Sequence, residues 1–362
     1  MSNLVRVAVG ISAILSSAAV LAQSQVTVYG LIDSSVEYVT HVNAASDSAV
    51  KEPGLTGTYP SRLGFRGNED LGGGLQALFV LEMGFLPDTG TMGQGNRLFG
   101  RQSYVGLKNS YGTIMLGRQV NMTYIASLKA DILGANLYGT GSLDAYLPNA
   151  RSDNAIGYLG TFSGATLGAT YSFGRDSSSA GGPAATNCGG EIAGNAQACR
   201  QMTGMLAYDT TSFGVAAAYD IMYGGPGAAA PLTNSSYSDQ RISLNGYFML
   251  DEAKIGGGLL DRRIKAAVET NSDMYYFGVS YPFNNTLVLD GEILRLNVRG
   301  TNKVSTMQVM RVTYNLSKRT ALYTSLGYMR NGGSAAVSLD GGGTVGVGMS
   351  QVGIMSGIRH TF

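Results

Sequence analysis

Apolar and polar side chains alternate with a period of two along most of this chain, and no long uncharged apolar run follows residue 22. Alternation of this kind marks strands with two unlike faces. In the first run Val26, Val28, Gly30, Ile32, Val36 and Tyr38 share one face, and Thr27, Tyr29, Asp33, Ser35 and Glu37 the other. Leu63 and Phe65 then oppose Arg62, Gly64 and Arg66, and Ala77, Phe79, Leu81, Met83 and Phe85 oppose Gln76 and Glu82. Further runs begin near Leu98, Gly112, Arg151, Ala165, Met202, Val215, Arg241, Lys254, Met274, Leu287, Ser305, Ala321 and Gly346, which brings the expected strands to sixteen. Helical periodicity is weak except within residues 122–133.

The connections alternate in length. Short turns fall at 69–74, 110–112, 161–164, 209–214, 251–253, 284–286 and 317–320. Mostly long loops span 40–60, 86–96, 119–150, 174–201, 224–239, 261–273, 298–302 and 329–343. Short turns at one end and long loops at the other describe a meander of antiparallel hairpins closed into a transmembrane barrel. A barrel also accounts for the composition. One face of each strand meets lipid and the other meets water, while closure satisfies every backbone N–H and C=O without an edge. Only 14% of residues are charged, well under the roughly 25% of soluble domains. Tyrosines (21, against 11 phenylalanines and no tryptophan) stand near strand ends, where interfacial girdles form. The competing reading is a soluble all-β sandwich, in which the outer apolar face would have to find a core.

The 25 Lys and Arg balance 24 Asp and Glu, so there is no basic footprint for nucleic acid and no acidic tail. Arg6 alone is charged in the first 32 residues. It precedes an apolar stretch that ends in Val20, Leu21 and Ala22. Residues 1–22 therefore read as a secretory signal cut after Ala22, with 23–362 as the barrel domain. The stretch falls short of the ~20 residues of a spanning anchor, which is the other reading. Val352, Ile354, Ile358, His360 and Phe362 alternate up to a terminal aromatic.

Several stretches resemble the general porins of Gram-negative bacteria, of the β-proteobacterial and neisserial type. They are 26–33 (Val-Thr-Val-Tyr-Gly-Leu-Ile-Asp), 61–75 (Ser-Arg-Leu-Gly-Phe-Arg-Gly-Asn-Glu-Asp-Leu-Gly-Gly-Gly-Leu), 100–107 (Gly-Arg-Gln-Ser-Tyr-Val-Gly-Leu), 112–119 (Gly-Thr-Ile-Met-Leu-Gly-Arg-Gln) and 357–362 (Gly-Ile-Arg-His-Thr-Phe). Residues 175–345 follow the pattern rather than the motifs. The resemblance implies an all-β, sixteen-stranded antiparallel barrel in the outer membrane, assembled as a homotrimer, with the third long loop (119–150) folded inward. It implies a passive channel for ions and small hydrophilic solutes, with no cofactor and no nucleic-acid partner.

A diffusion pore works through a constriction of set radius and the field across it. Family members set wall arginines against acids of the inward loop. By motif, Arg62 and Arg101 match such arginines. Arg151, just after the loop, and Arg118, just before it, are further candidates. Arg66 shares the face of Arg62 about 13 Å along, and is placed to pair with Glu69 or Asp70. An outward-facing Arg at the midplane would cost roughly 2–4 kcal/mol, so alternation sends these side chains into the lumen, where Glu82 also points. The loop carries Lys129, Asp131 and Asp144. Three arginines against two loop acids leave a slightly positive eyelet and imply a weak anion preference. A saturable substrate-specific channel and an adhesin or structural barrel with a blocked lumen remain the alternatives.

Cys188 and Cys199, the only cysteines, lie in one long loop. In an oxidising compartment they are expected to pair, closing a short loop worth ~3 kcal/mol on the chain-entropy model. Two histidines, His41 and His360, offer no metal cluster, and no Gly-x-Ser-x-Gly elbow, Walker loop or His-Glu-x-x-His is present, so an enzyme is not expected.

Overall fold

The computed structural model describes residues 25–54, 57–176 and 186–362. The expected signal segment 1–22 lies outside the described residues. Sixteen strands close into an antiparallel barrel: β1 (Gln25–Val39), β3 (Arg62–Gly72), β4 (Leu75–Gly84), β5 (Gln102–Asn109), β6 (Gly112–Val120), β7 (Arg151–Phe162), β8 (Ala165–Ser172), β9 (Gln201–Asp209), β10 (Phe213–Tyr223), β11 (Ser238–Leu250), β12 (Ala253–Lys265), β13 (Thr270–Pro282), β14 (Leu287–Val298), β15 (Val304–Asn315), β16 (Thr320–Gly332) and β17 (Gln351–Thr361). A short β2 (Ala49–Lys51) lies in the first long loop and pairs with the end of β1.

Closure is staggered. The first half of β1 pairs with β3 (Gln25↔Asn68 to Leu31↔Arg62), and its second half with β17 (Leu31↔Thr361 to Val39↔Gly353). Phe362 completes the seam by exchanging two backbone hydrogen bonds with Gly30 at 3.1 Å. Such staggering is what tilts the strands of a barrel.

Alternation sorts the faces as the sequence requires. Val36 of β1 is 60% exposed on the outer wall, whereas its neighbours Ser35 and Glu37 are 3% and 0% exposed inside. The outer wall carries Leu206, Val215, Leu244, Phe277, Ile293 and Leu326 among many large apolar side chains. In water this belt would be costly, at roughly 25 cal/mol per Å²; against lipid tails it is not.

Some boundaries differ from those expected. The sixth long connection shrinks to residues 266–269, because β12 and β13 continue past the expected loop limits of 261 and 273. Ion pairs hold this extension upright: Arg299 to Asp273 at 2.6 Å, and Arg263 to Asp261 at 2.8 Å. The strands expected near Leu98 and Gly346 begin at Gln102 and Gln351, and the helix expected over 122–133 runs only over Met122–Ser127. There Asn121 caps the first turn by accepting from the Tyr124 amide. Cys188 and Cys199 are joined by a disulfide, with Cα atoms 5.2 Å apart. Both are buried against Ala228 of the next loop, so the bridge ties two external loops into one surface.

The interior is not uniformly wet. Along β12–β17 many inward side chains are apolar: Leu260, Met274, Tyr276, Leu294, Met307, Met329 and Met355 are all nearly inaccessible. They form one core with Leu133, Leu137, Tyr138, Leu143 and Leu147 of the third loop and Leu339 of the last loop.

Candidate functional site

The third loop, residues 121–150, runs round the inside of the barrel and returns. Its helix Met122–Ser127 packs on β9 and β10. Farther on, the Leu133 amide donates to Glu292 of β14 at 3.1 Å, and the Tyr138 hydroxyl donates to Glu37 of β1 at 2.7 Å. Asn136 reaches the Thr58 carbonyl at 2.6 Å. On the way back Asp144 meets Arg241 of β11. The Tyr146 hydroxyl donates to Asp220 of β10 and accepts from Gln201 of β9.

Two glycine positions make room for this path. A Cβ on Gly256 of β12 would lie 2.2 Å from the Ala130 carbonyl oxygen, and one on Gly353 would lie within the Tyr138 ring's hydroxyl shell. Within the glycine run 256–258, Gly256 is thus the close approach of loop to wall, a role glycine has in strands, while Gly257 and Gly258 face neighbouring strands at Phe277, Tyr276 and Asn245.

The open side of the lumen faces β3–β7. Glu82 of β4, 5% exposed, is its hub: it accepts from Arg101 Nε at 2.7 Å and from the Tyr29 hydroxyl at 3.0 Å, and Arg62 Nε stands 4.0 Å away. Arg151 opens β7. Its Nη1 donates to the Pro148 carbonyl at 2.7 Å, its Nε has no hydrogen-bond partner, and among the described residues no carboxylate pairs with it. Arg101 and Arg151 line one cavity with Tyr59, Pro60 and the loop residues Tyr124, Asp131 and Asn136. Arg62 lies within electrostatic reach of Arg101, and Arg151 of both Arg101 and Arg118. Wall and loop therefore meet across a gap in which positive charge predominates.

The remaining candidates sit elsewhere. Arg118 is drawn away into Asp153, which Arg97 also grips at 3.1 Å. Arg66 lies 5.2 Å over the Tyr29 ring, and among the described residues it makes no ion pair with Glu69 or Asp70. Lys129 pairs with Asp209 at 2.9 Å. Asp144, expected opposite the wall arginines, is instead held on the far side by Arg241 at 2.9 and 3.2 Å and by Arg262 at 3.8 Å. Burial alone would raise its pKa, but these two guanidiniums hold it down at about 2. Asp131 reaches the cavity, yet its carboxylate is occupied by the Gly134 amide and the Thr140 hydroxyl, both at 2.7 Å, and faces Glu292 of the wall. Arg241, Arg262, Asp220, Glu37 and Glu292 escaped the sequence reading. The one signal that points to them is inward parity within their strands.

Burial pushes Asp131 up from the ordinary 3.8 to about 6, against the opposing hydrogen bonds. A raised acid stabilises the docked loop below its unfolded pKa, and that stability is lost as pH rises through the folded one. Loop seating is thus expected to weaken between about pH 4 and 7, by on the order of 2–3 kcal/mol. Amide hydrogen exchange at residues 130–134, compared at fixed intrinsic rate, should show the loss in wild type and not in Asp131→Asn. Equal profiles for the two would refute it.

The Gram-negative porin family model matches residues 8–334. The chain belongs to the Gram-negative porin family. This porin is 29% identical to outer membrane porin protein 32 of Delftia acidovorans, over 98% of this chain and 99% of that protein. It is 37% identical to the major outer membrane protein P.IB of Neisseria gonorrhoeae over 105 residues, 28% of this chain and 29% of that one. Among solved structures, an anion-selective porin from Comamonas acidovorans superposes with a TM-score of 0.77 at 28% identity, covering 94% of this chain and 100% of that one. The porin resides in the outer membrane, and its family and fold are those of a channel. Its barrel has sixteen strands and an inward third loop, as its sequence led one to expect.

Proposed function

We propose that this porin passes ions and small hydrophilic solutes down their gradients with a weak preference for anions, and that Arg62, Arg101 and Arg151 set that preference. The observation that carries the reading is the charge at the gap: Arg101 and Arg62 stand at Glu82, and Arg151, with no carboxylate partner among the described residues, lies within electrostatic reach of both Arg101 and Glu82. Of the loop acids counted against them, Asp144 is paired with Arg241 on the far side, while Asp131, hydrogen-bonded within its own loop, lines the same cavity. Arg62, Arg101 and Arg151 exceed Glu82 by two charges, and with Asp131 on the loop side of the same cavity the excess is one positive charge. Selection by a ring of cations follows from the local field, which salt screens with a Debye length of about 10 Å at 0.1 M. The anion selectivity named for the Comamonas relative supports the same sign.

The working unit is a homotrimer, made after removal of residues 1–22. Apolar outer faces of β1 (Val26, Val28, Ile32) and β17 (Val352, Ile354, Ile358) at the seam supply candidate contact surface. Planar-bilayer recordings in a KCl gradient test the selectivity. A reversal potential of the sign set by chloride is expected at low salt, shrinking as salt rises. A clear cation preference would overturn the assignment.

A further inference from the structure

The outer wall between β13 and β17 is indented. A groove of about 700 Å³ lies there, lined by outward side chains including Val279, Ile293, Met310, Leu326 and Tyr328. That is within the roughly 300–1,000 Å³ of ligand sites. Its floor is Gly291. The rung Val279↔Gly291↔Met310↔Leu326 lacks one side chain, and a Cβ at Gly291 would meet nothing closer than 3.9 Å. An indentation in a wall that faces lipid is filled by lipid.

Two rungs toward the long-loop end lies Arg295↔Thr306↔Arg330, flanked by Tyr275 on the neighbouring strand. Both arginines point outward and are exposed. They stand two strands apart, about 10 Å at the backbone, so both guanidiniums can reach one group between them. The outward acids nearby are already occupied: Asp273 and Asp261 are taken by Arg299, and Asp261 also by Arg263. Among the described residues neither Arg295 nor Arg330 has a carboxylate partner. Two unpaired cations at the external mouth of an apolar groove, beside ring side chains of the interfacial belt, form a site with a dry body and an anionic head.

We propose that this face holds a phosphorylated lipid of the outer leaflet, with an acyl chain in the groove over Gly291 and a phosphate bridged by Arg295 and Arg330. Guanidinium and phosphate match in charge and in forked hydrogen-bond geometry. The test is native mass spectrometry of the purified, detergent-solubilised porin titrated with bis-phosphorylated lipid A, with phosphatidylcholine as the neutral probe. Wild type is expected to retain lipid A and not phosphatidylcholine. Arg295→Gln/Arg330→Gln is expected to bind it about tenfold more weakly, a loss of about 1.4 kcal/mol. Gly291→Phe should weaken it as well while keeping the folded, heat-modifiable band on a gel. Unchanged lipid A binding by the double glutamine variant would overturn the site, as would equal retention of phosphatidylcholine. Dissociation of the oligomer by Gly291→Phe would also overturn it, because the groove would then be covered by a second copy.

Discussion

Exchanging Arg62 and Arg151 for glutamate is expected to reverse the ion preference of the channel. These two are the right pair to change. Arg101 is bonded to Glu82 at 2.7 Å, and its removal would strand a buried carboxylate. Arg62 stands off at 4.0 Å, and Arg151 pairs with no carboxylate among the described residues. With both replaced by glutamine, Arg101 and Glu82 cancel; with both replaced by glutamate, these four wall positions carry two negative charges, to which Asp131 of the loop adds. Unit charges 8 Å apart in water interact by roughly 0.5 kcal/mol before screening. Four units of change acting oppositely on anion and cation amount to about 4 kcal/mol, on the order of a thousandfold in the permeability ratio before screening, and to much less at high salt. Reversal potentials for wild type, glutamine and glutamate variants should step from chloride-like through zero to potassium-like. A glutamate variant that still prefers chloride would place the selecting field elsewhere.

The second large effect is expected from Arg241→Met. Arg241 is 2% exposed, holds Asp144 and Asp239 at 2.9 and 3.0 Å, and stacks 4.0 Å over Tyr146. Removing one member of a buried pair leaves an uncompensated charge and typically costs 3–5 kcal/mol. Arg262, 2.7 Å from Asp239 and 3.8 Å from Asp144, takes up part of the loss, so about 3 kcal/mol remains. The return limb of the third loop is anchored here. Amides 142–147 should exchange about a hundredfold faster, and open-channel current should grow noisier. Adding Asp144→Asn should restore part of the protection. Protection unchanged by Arg241→Met would mean that the limb is seated by its leucines alone.

Much of this was readable in the residues, and the reasons for the rest are physical. The lipid face was readable because period two survives wherever one wall is oily and the other wet, as in β1 with Val26, Val28 and Ile32 outside and Asp33 and Glu37 inside. Alternation also turned Arg62 and Glu82 inward, whereas Arg101 was named from the motif resemblance and Arg151 from its place after the loop; in the structure Arg62 and Arg101 stand at Glu82, with Arg151 within electrostatic reach. The loop acids were not readable. What Asp131 and Asp144 face is decided by where the loop lands, and it lands on β10–β14, where inward positions such as Leu260, Met274 and Leu294 are apolar and the polar ones are scattered. With both faces apolar, alternation no longer says which side is water. Arg241 and Glu292 kept inward parity within their strands, but nothing in the sequence tied them to the loop.

That oily inner wall decides how the bore behaves. Swinging the third loop outward would bare Met274, Met307, Met329 and Met355 to the water column, so the segment is a lining rather than a door. Shortening it to obtain a wider passage would trade a channel for a sticky, collapsing tube; enlargement has to come from trimming the side chains that already face the stream.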